Sequence, residues 1–178
     1  MTHRIRRFRI ADREAMLGFA DALPDHDLLF LGRDLKHPRV IAAWLGAIAE
    51  EWIDSLVAED DGAIIGSAAL VRDPLGWSAH VGEIRLLVSA QRRGEGLGRD
   101  LLEAMLRIAA ERGLAKLTAA MTPDQTGAIA LFESLGFRGE ALLKDQVRDR
   151  AGQPHDLVIL SYDISRSAAQ HRAYGFDS

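Results

Sequence analysis

"VSAQRRGEGLGRDLLEAM", residues 88–105, sets three glycines, Gly94, Gly96 and Gly98, within five residues, between an apolar run and a pattern of helical period. Glycine in the first turn of a helix costs about 1 kcal/mol per residue relative to alanine, so such a cluster suggests that the backbone itself must approach something closely. After a strand, the N–H groups of a tight loop and of a helix's first turn form a concave anion site, which suits a pyrophosphate. The spacing is G-x-G-x-G, a poor fit to the dinucleotide fingerprint, and no first βαβ unit with a downstream acidic residue is apparent. A Walker loop is excluded by the missing Gly-Lys-Ser/Thr. On the glycines alone, a phosphate site and a plain tight turn are both open.

Working outward, "HVGEIRLLVS" (residues 80–89) reads as a central strand feeding the glycine loop, and Leu97, Leu101, Met105 and Ile108 line one face of the helix that follows, ending near Gly113. Upstream, residues 55–73 form two β-rich runs around Asp61-Gly62, a pair suited to a tight hairpin turn. The N-terminal "RIRRFRI" (residues 4–10) alternates basic and apolar residues and predicts a first strand, with a short helix opening near Ala11 and Asp12. Residues 24–38 carry proline at both ends and no clean period, which predicts a loop with room for a helical turn. Pro38 suits the first turn of a helix through Trp52, in which Ile41, Trp44, Leu45, Ile48 and Trp52 form a core-facing stripe. Downstream, residues 114–121 read as a buried strand, 125–135 as a helix closed by Gly136, and 137–147 and 156–164 as two last strands around a polar turn.

The 178 residues are 48% hydrophobic and 27% charged, ordinary composition for one domain. A net charge of -4 argues against nucleic-acid binding driven by phosphate neutralisation. With no cysteine there is no disulfide framework, thiolate metal site or thiol nucleophile, which fits a reducing compartment. The longest uncharged apolar stretch, residues 40–49, is too short to span a bilayer. These features predict a soluble, cytoplasmic protein that engages neither nucleic acid nor membrane and holds no metal.

"EIRLLVSAQRRGEGLGRDLLEAM" (residues 83–105) resembles the signature of the GNAT superfamily of acyl-CoA-dependent N-acyltransferases, whose pyrophosphate loop reads Arg or Gln, two residues, Gly, one residue, Gly or Ala. Residues 91–96 fit that pattern, and 93–98 fit it with the last glycine just before the helix, the preferred register. "GAIALFESLGF" (residues 127–137) is similar to the family's second motif, a helix ending in Leu-Gly-Phe beside the cofactor. The resemblance implies an α+β fold: a GNAT-like mixed, mostly antiparallel central sheet of six to seven strands, splayed at the cofactor site and flanked by about four helices. It covers a single domain, residues 1–164, followed by a polar tail, 165–178, expected to fray.

By the same resemblance, Leu86, Leu87 and Val88 would pair their backbone with the pantetheine arm of acetyl-CoA, and an N–H near Leu87 would polarise the thioester carbonyl. Arg93, Gly94, Glu95, Gly96, Leu97, Gly98 and Arg99 would hold the pyrophosphate. Arg92 and Arg93 read equally as cofactor contacts or as solvated charge. The implied activity is transfer of an acetyl group from acetyl-CoA, a co-substrate, to a primary amine of a small molecule or protein. The resemblance leaves room for a homodimer. An ammonium must lose a proton before it attacks, and Glu83 stands where several members keep a general base, although a solvent-facing strand residue is the plainer reading. His80, His155 and Asp156 are weaker candidates. Two departures stand out: Phe132 replaces the tyrosine that protonates the leaving thiolate in many members, and Gln125 replaces a frequent asparagine. The loss at Phe132 motivates an alternative, an acyl-CoA-binding sensor or interaction module with little activity. "PDHD" (residues 24–27), on the expected acceptor side, could attract a cationic amine or be a solvated acidic turn.

Overall fold

Asp61 and Gly62 both take positive φ, 48° and 78°, the conformation a two-residue hairpin turn demands. They join strands β2 (Ile53–Asp60) and β3 (Ala63–Arg72), which read as near-continuous apolar runs because both faces are covered. In the computed structural model, which describes residues 3–165, five further strands complete the sheet. They are β1 (Arg4–Arg7), β4 (Val81–Val88), β5 (Lys116–Met121), β6 (Arg138–Arg148) and β7 (Pro154–Asp163). The order is β1-β2-β3-β4-β5-β7-β6, and only β4 and β5 run parallel. The α+β class and the mixed, mostly antiparallel sheet of seven strands agree with expectation. The tail, apart from Ser165, lies outside the described residues.

Among the described residues four α-helices cover the sheet: α1 (Arg13–Asp21), α2 (Pro38–Ala49), α3 (Leu97–Glu111) and α4 (Thr126–Ser134). Leu101, Met105 and Ala109 of α3 pack with Ile84, Leu117 and Phe132 on one side. Met16 of α1 and Ile41 of α2 pack with Val57 and Leu87 on the other. Alternation along β4 therefore sends Ile84, Leu86 and Val88 toward the α3 face and Leu87 to the α1–α2 face. No helix among the described residues is long and apolar enough to cross a membrane.

Two readings of local pattern are corrected. The first strand stops at Arg7, because Asp12 accepts the Arg9 N–H at 2.8 Å and binds the Arg6 guanidinium through both oxygens, turning the chain into a 3₁₀ turn with Ile10 exposed. The second helix ends at Ala49, and Glu51 follows with φ 59°. Trp52 thereby leaves the apolar stripe and stands 36% exposed. Of that stripe Ile41 is fully buried, whereas Trp44, Leu45 and Ile48 pack half-buried against the core. The stretch between the prolines is largely a 3₁₀ segment, Asp25–Leu31, anchored by buried Leu28 and Leu31.

Asp54 on β2 is the polar anchor of the sheet's far end. It is 2% exposed and receives Arg112 through two hydrogen bonds of 2.9 Å, with Arg7 at 2.6 Å and Arg72 at 3.5 Å. Burial pushes its carboxyl up, but hydrogen bonds from Arg112 and Arg7 outweigh this and hold it below the usual carboxylate range. Asp54→Ala leaves the guanidinium groups without their shared anion, so chemical denaturation should show a loss of about 3–5 kcal/mol. Because the folded pKa is depressed, Asp54 contributes stability above the unfolded value near ~3.9 and loses it as pH falls through the folded value. Asp54→Asn should accordingly flatten the acid limb of the stability profile.

Candidate functional site

β4 pairs with β3 as far as Val88 but with β5 only from Val81 to Glu83, where Glu83 faces Thr118. Beyond that pair the two strands part. The Ser89 N–H donates to the Ile65 carbonyl at 2.9 Å, so by the alternation of an antiparallel ladder the backbone of Leu87 is also engaged with β3. The N–H and C=O groups of Leu86 and Val88 are then the ones that face the gap. A carbonyl-polarising N–H expected near Leu87 would have to come from one of these neighbours.

The gap opens into a cleft of about 600 Å³ that continues past the glycine loop to α4. Leu86, Leu87, Val88, Arg93, Gly94, Gly96, Gly98, Arg99, Gln125 and Phe132, all expected at the cofactor, line it together. Glu95 and Leu97 do not line it by side chain: Glu95 pairs with Arg92 at 2.8 Å, and Leu97 is buried in the core under α3. Gly94 and Gly96 have φ of 79° and 86°, the left-handed region where L side chains are strained. Gly96 caps α3 without any side-chain hydrogen bond, leaving first-turn N–H groups without an intrahelical partner where Gly96, Gly98 and Arg99 line the cleft. Gly98 serves space instead of conformation, since a Cβ there would stand 3.0 Å from Leu131 Cδ2.

Across the cleft, Gln125 Oε1 accepts the Thr122 N–H at 3.1 Å, which fixes the entry to α4 and leaves the amide N–H groups as donors. Phe132 is 2% exposed and meets Phe137 edge-on at 4.9 Å. Arg99 is held by Ser134 Oγ at 2.9 Å.

A second groove opens on the other side of the β4–β5 split and shares Phe30 and Ala120 with the cleft. Glu83 lines it beside Arg85, whose Nε donates to Glu83 Oε1 at 2.8 Å. Glu83 thus faces this groove and not the cleft. The "PDHD" segment is neither an unpaired acidic lure nor a freely solvated turn. Asp25 binds Lys36 at 2.8 Å and Arg150 at 2.6 Å, and Arg150 also reaches Asp34 at 2.9 Å. His26 pairs with Asp124 at 2.8 Å, and Asp27 pairs with Arg93 across the cleft mouth. Lys36 and Arg150 hold the Asp25 carboxyl low, and hydrogen bonds from Thr122 and His26 do the same for Asp124. The segment is a latch joining the glycine loop, α4 and the β6–β7 tip.

The weaker candidates are placed elsewhere or occupied. His80 is exposed before β4, at the end away from the glycine loop. His155 pairs with Asp149 at 3.0 Å, and Asp156 with Lys144 at 2.6 Å. Arg85 and Arg33, which also line the groove, were not singled out by motif. A period of two from Glu83 was the available signal for Arg85; nothing local marks Arg33.

The model of the acetyltransferase (GNAT) family matches residues 17–137. Rat N-acetyltransferase 8 is 34% identical over 91 residues, covering 49% of this chain and 41% of its own length. The chain therefore spans about two fifths of that relative. Among solved structures, ribosomal-protein-alanine N-acetyltransferase from Brucella melitensis superposes with a TM-score of 0.79 at 27% identity, over 90% of this chain and 99% of its own. A phosphinothricin acetyltransferase from Sinorhizobium meliloti in complex with acetyl-CoA gives a TM-score of 0.78 at 21% identity, over 92% and 89% of the two chains.

Proposed function

The chain belongs to the GNAT acetyltransferase family, and from that premise we propose that it transfers the acetyl group of acetyl-CoA to a primary amine by direct attack on the thioester. The observation that carries this reading is the parting of β4 from β5 directly beside a glycine loop whose helix has an open N-terminus. An added strand of pantetheine is matched by the unpaired backbone of Leu86 and Val88, and a pyrophosphate by the N–H groups of residues 97–99 with Arg93 nearby. Acetyl-CoA supplies the activated acyl group.

The amine nitrogen attacks the carbonyl carbon, the oxygen takes up the electron pair and is met by a backbone N–H of Leu86 or Val88, and collapse breaks the C–S bond. Glu83 accepts the proton lost by the amine, directly or through water. Coenzyme A leaves as a thiolate, a tolerable leaving group with pKa near ~8.5, so Phe132 slows the step without forbidding it. Calorimetric titration with acetyl-CoA followed by a thiol-release assay over a panel of amines tests the reading. Binding without thiol release on any amine would favour the second reading, an acyl-CoA-binding module, which rests on the missing hydroxyl at Phe132.

Phe132→Tyr adds one oxygen to a side chain that lines the cleft. If thiolate departure limits turnover, kcat should rise by up to about tenfold while acetyl-CoA affinity holds. An unchanged kcat would place the slow step elsewhere than in C–S cleavage.

A further inference from the structure

Under α2, against β3 and β4, lies a cavity of about 230 Å³ walled by Leu31, Leu35, Val40, Trp44, Val71 and Leu87. That is below the ~300–1,000 Å³ of sites that engulf a whole ligand, and suits one apolar side chain. The cavity is not isolated. It shares Leu31, Arg33 and Arg85 with the acceptor groove and Leu87 with the cofactor cleft. Something that fills it can therefore extend past these shared residues into the groove that Glu83 lines.

The groove's charges decide what else that something carries. Its acidic residues are already partnered: Glu83 by Arg85, Asp25 and Asp34 by Arg150, Asp149 by His155. Among its arginines, Arg33 and Arg148 make no ion pair with any described residue, and of these two only Arg33 also borders the cavity. An exposed guanidinium without an anion, at the mouth of an apolar cavity, matches a carboxylate by charge and by its forked donors. We propose, resting on the acetyltransfer reading above, that the acceptor is a small apolar amine bearing a carboxylate, in its simplest form an apolar α-amino acid. Arg33 binds the carboxylate, the cavity beside Trp44 takes the side chain, and the amine faces Glu83.

The test compares L-leucine with L-leucinamide, which lacks the carboxylate, isoamylamine, which lacks it altogether with its carbon, and glycine, which lacks the side chain. Thiol release from acetyl-CoA should give L-leucine a kcat/KM about tenfold or more above each of the others. Arg33→Gln should raise KM for L-leucine until it equals L-leucinamide, with kcat little changed. Ala43→Phe, which projects from the cavity wall, should remove the advantage over glycine. Calorimetric titration of L-leucine into protein saturated with CoA reads the same subsite without turnover. Equal kcat/KM for all four amines, or an L-leucine preference indifferent to Arg33, overturns the proposal while acetyltransfer stands. If none of the four releases thiol while another amine of the wider panel does, the proposal is overturned and acetyltransfer stands; if no amine of the panel does, the transferase reading fails and the titration decides: L-leucine bound by wild type and not by Arg33→Gln supports the subsite, and no binding overturns it.

Discussion

Gly96→Val is expected to weaken acetyl-CoA binding by about two orders of magnitude with little effect on the rest of the fold. The residue has φ of 86°, and apart from the glycine and its chain neighbours nothing lies within 4 Å of where a Cβ would stand, so the penalty is conformational and not a clash. Holding a β-branched residue in the left-handed region costs roughly 1–3 kcal/mol, and the backbone relaxes by rotating out of it. That rotation re-aims the first-turn N–H groups that would meet the pyrophosphate, and each charge-assisted hydrogen bond is worth about 1.5–3 kcal/mol. Gly98→Val acts by a different route, filling the narrow space between Leu131 and the end of β4. A fragment separates phosphate from arm: S-acetylpantetheine, which has no pyrophosphate, should bind wild type much more weakly than acetyl-CoA. It should also be indifferent to Gly96→Val yet still be weakened by Gly98→Val. Acetyl-CoA affinity unchanged in Gly96→Val would remove the phosphate assignment from this loop.

Such a loop is legible in a sequence because its determinants are local: a strand, glycines that permit positive φ, and a helix period follow one another within twenty-five residues. The Asp61–Gly62 hairpin is legible for the same reason. Where β4 leaves β5 is not, since the ladder between them ends at Glu83 and Thr118, residues brought together only by the finished sheet. The 3₁₀ segment is the clearest case. Asp27 meets Arg93, His26 meets Asp124 and Asp25 meets Arg150, across 66, 98 and 125 positions. Composition shows an acidic turn, but the arginines that neutralise Asp27 and Asp25 lie far along the chain, in the glycine loop and at the β6–β7 tip. Trp52 erred in the opposite sense: a helical stripe ran on in the sequence past the point where Glu51 had already ended the helix. Arg33 carries no pattern at all, and only the meeting of two cavities around it distinguishes it from surface charge.

Glu83→Gln should lower kcat/KM by about 10²-fold or more at neutral pH while acetyl-CoA affinity stays near wild type, because the carboxylate lines the acceptor groove and is absent from the cofactor cleft. Its geometry argues for a role shared with water. Oε1 and Oε2 already accept from Arg85 at 2.8 and 3.3 Å, so an incoming ammonium must use the remaining lone pairs or a bridging water. The ion pair is about a third exposed, and pairs of that kind contribute roughly 0–1 kcal/mol, so thermal stability should hardly change. A large drop in stability would assign Glu83 a structural role instead. The pH profile carries the decision. With a carboxylate acting on the bound ammonium, the wild-type kcat/KM should level off well below the acceptor's own pKa. Without it, the variant depends on the small fraction of free amine, and its kcat/KM should climb about tenfold per pH unit until that pKa is reached. The two profiles then converge at high pH, where the amine needs no base. Profiles that superimpose from neutral pH upward would rule out Glu83 as the proton acceptor and leave bulk water to take the proton.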